Sequence, residues 1–167
     1  MSLRDPYASV IRSFNRCGVR YVVVGLSGIN YYARNASEVF MTLDYDIFVE
    51  PLISNVQKAV KGLQSLSFTL GTEKGPLRFE EIKPLVRDRK TLIAVSPDGI
   101  KVELLLRISG FQFSEIARDA ATFDVGGVPI RVGRLHKLLR SKRVAGRPKD
   151  RDFLRRYEHL LEETQGS

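Results

Sequence analysis

Residues 41–50 read MTLDYDIFVE, a run of strand character broken by two carboxylates. In a strand, residues two apart share a face. Leu43, Tyr45, Ile47 and Val49 therefore point one way, and Asp44, Asp46, Phe48 and Glu50 the other. Two carboxylates side by side repel each other. Either that face is open to water, or a cation lies between them.

Upstream, Asp5-Pro6 reads as the N-cap and first position of a helix bearing Val10, Ile11 and Phe14, with Gly18 as its stop. VRYVVVG (19–25) is a continuous apolar run ending in glycine, the pattern of a buried strand. It leads through LSG into a turn and a short helix. Downstream, Leu52, Val56, Val60 and Leu63 recur at helical spacing. Residues 69–88 carry no clear period, and no element is assigned there. KTLIAVSPDGIKVELLLRI (90–108) reads as a hairpin about Pro97-Asp98-Gly99. Its second strand sets Lys101, Glu103, Leu105 and Arg107 on one face. FSEIARDA suggests a short helix, TFDVGGVPIRV a second hairpin about Gly126-Gly127, and two helices close the chain. The order of elements predicts an α+β, mixed α/β fold in one domain over 1–167, with a core at 19–132 and C-terminal helices at 133–163.

Charge is unevenly placed. The net +8 lies wholly within residues 131–160, where 11 Lys or Arg face 3 Asp or Glu. Such a segment suits a polyanionic partner such as nucleotide phosphates or RNA, or it forms solvated amphipathic helices. One cysteine excludes an internal disulfide and a thiolate zinc cluster, and it favours a reducing compartment. Cys17 is expected to be small and buried, and His136 and His159 to lie at the surface. No signal-like or membrane-spanning apolar run is present, so a cytoplasmic protein with no membrane association is expected.

Three acids thus stand on polar strand faces: Asp44, Asp46 and Glu103. If their strands are neighbours, the carboxylates converge as oxygen ligands for a hard divalent cation, which could neutralise nucleotide phosphates. Gly25, Ser27 and Gly28, at a strand-to-helix turn, offer amide and hydroxyl groups for phosphate. The turn lacks the dinucleotide and P-loop fingerprints, and Ser27 lacks the context of a hydrolase nucleophile.

Taken together, YVVVGLSGINYYARN, TLDYDIFV, KVELLL and the tail RLHKLLRSKRVAGRPKDRDFLRRYEHL resemble the polymerase-β-like nucleotidyltransferase superfamily, in particular its minimal bacterial and archaeal members. The resemblance spans most of the chain and implies the nucleotidyltransferase fold, a mixed sheet flanked by helices. It implies Asp44, Asp46 and Glu103 as ligands of Mg²⁺ (or Mn²⁺), with Glu103 also the general base. Gly25, Ser27 and Gly28 would meet the nucleotide, and Lys142, Arg147, Lys149 and Asp150 match the tail motif, whose lysines would join the nucleotide site. The implied reaction moves a nucleoside monophosphate from an NTP such as ATP to a hydroxyl of RNA, a protein or a small molecule. Relatives include antibiotic-modifying enzymes and toxins of toxin–antitoxin pairs.

The sequence departs from the family pattern at Leu26, at Phe40 (where many relatives carry Arg) and in having Glu at position 103. The first two motivate an alternative: a weakly active or inactive member serving as a nucleotide- or RNA-binding module or toxin–antitoxin component. A third reading makes the aromatic segment INYYARN a contact surface for an oligomer.

Overall fold

A computed structural model describes residues 5–165, with side chains as far as Leu161. Residues 1–4 and 166–167 of the expected domain lie outside the described residues. The helices are α1 (Pro6–Cys17), α2 (Gly25–Asn30), α3 (Ile53–Ser65), α4 (Ile82–Arg87), α5 (Phe113–Ala117), α6 (Leu135–Ala145) and α7 (Pro148–Gln165). The strands are β1 (Tyr21–Val24), β2 (Tyr45–Val49), β3 (Thr69–Thr72), β4 (Gly75–Pro76), β5 (Leu92–Val95), β6 (Lys101–Leu105), β7 (Ala121–Val125) and β8 (Val128–Val132). They form one mixed sheet in the order β4-β3-β5-β6-β2-β1-β8-β7. The architecture is α+β, a mixed sheet flanked by helices, as expected.

β2 sits near the middle of this sheet, antiparallel to β1 and parallel to β6. Its central place explains why Ile47, Phe48 and Val49 are all buried: both faces of the strand are covered. α1 follows its sequence signals. The Asp5 carboxylate accepts the Tyr7 N–H at 2.9 Å, and Gly18 closes the helix in the left-handed region at φ 70°. α1 and α3 cover one face with Val10, Ile11, Phe14, Val56, Val60 and Leu63. They come close where Gly62 leaves room for the Ser13 hydroxyl, which donates to the Gly62 carbonyl at 3.2 Å. Asn55, buried, ties α3 to the sheet through Arg20 N and O and Glu50 O.

Several expectations need correction. The strand begins at Tyr45, not before it. Leu43 is 88 % exposed and Met41 95 % exposed, so the alternation expected over 41–44 stops at the strand's start. Leu52 is exposed at the helix cap. Residues 69–88 hold β3 and β4, which extend the sheet edge, and the helix α4. Cys17 is exposed, because it lies in the last turn of α1 away from the core. His136 and His159 are exposed as expected. Among the described residues no helix is long and apolar enough to cross a membrane.

INYYARN is not a free contact surface. Tyr31 and Tyr32 pack on Phe123 of β7, and the Tyr32 hydroxyl donates to Gly133 O at 2.7 Å. Asn30 brackets Phe40 with two 2.9 Å backbone hydrogen bonds. Phe40 in turn meets Phe153 of α7 edge-on at 4.8 Å. Its departure from the family pattern thus serves aromatic packing that fastens α7.

Candidate active site

The parallel ladder of β2 and β6 sets Asp46 directly beside Glu103. Their face is turned away from α1: Tyr45, of opposite parity, stacks on Tyr7 at 4.1 Å, whereas Phe48, on the face of Asp46, meets Phe113 of α5. Asp44 lies just ahead of the strand. There the Thr42 hydroxyl accepts the Asp44 N–H at 3.2 Å and donates to the Asp44 carbonyl at 3.1 Å.

The start of α2 leans on Asp46. Gly25 has φ 66°, and a Cβ there would sit 2.5 Å from Asp46 Oδ2. Only glycine combines that dihedral with so near a carboxylate. Ser27 is 6 % exposed. Its hydroxyl donates to Val24 O at 2.8 Å and accepts the Asp46 N–H at 2.9 Å, so it is already engaged within the fold. A Cβ on Gly28 would meet Leu138 Cδ1 and Val23 O at 3.0 Å, so this residue lets α6 pack on α2. Of the three turn residues expected to touch phosphate, Gly25 lines the cleft described below. Ser27 lines instead the smaller cavity described below, and Gly28 lines neither.

The carboxylates perturb one another. Burial, then Glu103 and Asp44, push the Asp46 carboxyl up to about 7, while Lys142 opposes the rise. Asp46 Oδ1 is buried without a hydrogen-bond partner. Asp44 and Glu103 share a cation: Lys101 Nζ lies 3.3 Å from Asp44 Oδ1 and 3.2 Å from Glu103 Oε1. Both carboxylates raise the lysine above its usual range. Among the described residues no three His, Cys, Asp or Glu side chains gather as a metal-binding group, so the expected convergence of Asp44, Asp46 and Glu103 is not closed in this structure. As donors, three carboxylate oxygens suit a hard divalent cation, and the orphaned Asp46 oxygen is the kind of atom such an ion would satisfy.

The basic tail closes the site. Asp150, 1 % exposed, accepts from Arg147 Nε at 2.7 Å and pairs with Lys142 Nζ at 3.4 Å. Burial alone would raise its carboxyl, yet Arg147 and Lys142 hold it below the ordinary aspartate value. Lys142 also lies over the Phe153 ring, 5.5 Å from its centroid. R-P-K-D is therefore a clamp that fixes the α6–α7 junction and the amine of Lys142. Lys142, Arg107, Arg147, Ser141, Gly25 and Asp46 line a cleft of about 480 Å³. Lys149 is exposed and outside that lining. Arg107 was not singled out from sequence, although it shares the strand face of Glu103.

The family model for nucleotidyl transferases of unknown function (DUF2204) matches residues 3–167. The chain belongs to this family. Among solved structures, the antibiotic-resistance factor ANT(2″)-Ia, studied in solution for its substrate-regulated conformation dynamics, is similar with a TM-score of 0.51 at 11 % identity. The match covers 96 % of each chain. At that identity it bears on fold alone. No curated protein matches the chain.

This nucleotidyl transferase has a second cavity beside Asp44, of about 210 Å³, lined by Tyr7, Asn30, Tyr31, Thr42 and Tyr45. Asp46 thus faces the larger cleft and Asp44 the smaller one. A further hollow of about 400 Å³ under α4 adjoins the larger cleft through Thr91 and Arg107.

Proposed function

We propose that the protein transfers a nucleoside monophosphate from an NTP to a hydroxyl group, releasing pyrophosphate. Asp44, Asp46 and Glu103 would hold Mg²⁺ or Mn²⁺. When bound, such an ion supplies charge neutralisation at the phosphates and activation of the attacking hydroxyl. The observation that carries this reading is the pairing of Asp46 with Glu103 across β2 and β6, with an unsatisfied carboxylate oxygen at the edge of a basic cleft.

The chain's own groups divide the work. Lys142, Arg107 and Arg147 give the larger cleft a positive lining suited to a triphosphate. Gly25 lines the same cleft beside Asp46, so the start of α2 would meet those phosphates. Glu103, paired with Asp46 across the two strands, would receive the proton of the acceptor hydroxyl. The acceptor would enter by the smaller cavity, which Asp44 lines together with Tyr7, Tyr31 and Tyr45. An RNA acceptor is favoured by the exposed Lys149, Arg151, Arg155 and Arg156 of α7.

The test is incubation with Mg²⁺, each α-labelled NTP and RNA or protein acceptors. Label should transfer with wild-type protein and not with Asp44→Asn or Asp46→Asn, both folded by circular dichroism. Equal labelling by the variants overturns the mechanism. A second reading, nucleotide or RNA binding without turnover, is favoured by the Lys101 bridge between two of the acids. Salt-dependent RNA binding with no label transferred in any condition selects it.

A further inference from the structure

The carboxylates have a resident cation. Lys101 bridges Asp44 and Glu103 at 3.3 and 3.2 Å from a side chain that is 39 % exposed. Lys142, the ammonium acting on Asp46, is anchored: it is held by buried Asp150 and lies over Phe153. One lysine is therefore held by a buried carboxylate and an aromatic ring, and the other only by two partly exposed carboxylates. Lys101 also begins the row Lys101, Glu103, Leu105, Arg107 along one face of β6 and its extension, and the last two of these line the cleft.

Resting on the nucleotidyl-transfer reading above, we propose that Lys101 is a displaceable counter-ion that couples metal binding to nucleotide binding. While the cleft is empty it neutralises Asp44 and Glu103. When a metal–nucleotide complex enters, it yields the carboxylates and turns to the incoming phosphate oxygens.

The asymmetry follows from charge. A divalent ion arriving alone must dislodge the ammonium and leave it unpaired beside a new positive charge. An ion arriving with a triphosphate brings the anionic oxygens that receive the ammonium. The flexible four-carbon stem allows that swing without backbone movement. Metal and nucleotide then raise each other's affinity by one common factor, as linkage requires.

Mn²⁺ titration of the full-length protein, followed by electron paramagnetic resonance, tests this with and without a non-hydrolysable α,β-methylene ATP. Without nucleotide, Lys101→Met should bind Mn²⁺ about tenfold more tightly than wild type, the scale of two exposed ion pairs. Adding the analogue should tighten wild type and close most of that gap, and Lys101→Arg should behave as wild type. Mn²⁺ binding by Lys101→Met that equals or falls below wild type without nucleotide overturns the coupling and leaves nucleotidyl transfer intact. Absence of Mn²⁺ binding to both proteins in every condition overturns the underlying metal reading, and the coupling with it.

Discussion

The hydroxyl of Ser27 accepts the backbone N–H of Asp46 at 2.9 Å and donates to Val24 O at 2.8 Å, so one small side chain joins β1, α2 and the central carboxylate strand. Ser27→Ala leaves a buried amide without its acceptor, which should cost about 1–3 kcal/mol. The denaturant midpoint should fall while nucleotide affinity changes little. A rise in nucleotide dissociation constant with unchanged stability would instead make Ser27 a direct phosphate ligand.

Gly25→Ala should harm activity more than folding. The new methyl would meet Asp46 Oδ2 at 2.5 Å and would also occupy a left-handed backbone position. The backbone strain is about 1–2 kcal/mol. Moving the carboxylate by an ångström should lower turnover about a hundredfold. Parallel thermal melts and single-turnover labelling separate the two effects.

Asp46 makes the metal-free protein sensitive to pH. Its carboxyl is raised to about 7 in the fold from 3.8, so between those values the native state holds a proton that the unfolded chain has lost. Stability must then fall as pH climbs from about 4 to about 7, and level off above. Asp46→Asn removes that slope and should stabilise the metal-free protein at pH 8 by roughly 2–4 kcal/mol. Urea unfolding at stepped pH in chelator is the measurement. A variant no more stable than wild type at pH 8 contradicts the burial argument.

Asp150 has the opposite sign. Its carboxyl is held below 3.8 by Arg147 and Lys142, so its contribution is present at neutral pH and is lost as pH falls below about 4. Asp150→Asn leaves two cations without their buried partner and should cost about 3 kcal/mol at pH 7. That cost should shrink in acid. Loss of α6–α7 order, read by hydrogen exchange across 142–153, should accompany it.

Much of this was legible because the signals were local. Asp5-Pro6 and Gly18 mark α1, Pro97-Asp98-Gly99 turns the β5–β6 hairpin, and VVVG is a strand buried on all sides. The three acids were visible as residue types on polar faces. Their neighbourhood depended on β2 and β6 pairing in parallel, which no local pattern specifies. The segment 69–88 was silent because β3 and β4 are short and lie at a sheet edge, where alternation of polarity is weak. Lys101 escaped notice for a related reason. An ordinary strand lysine becomes part of the site only when Asp44 is brought to it from the neighbouring strand.

The carboxylates and the ammonium behind them come from far-separated parts of the polypeptide: Asp44 and Asp46 before the hairpin, Glu103 within it, Lys142 almost at the end. On the proposed reaction, a chain emerging from the ribosome would lack the Lys142 and Arg147 side of the cleft until α6 and α7 have been made and docked.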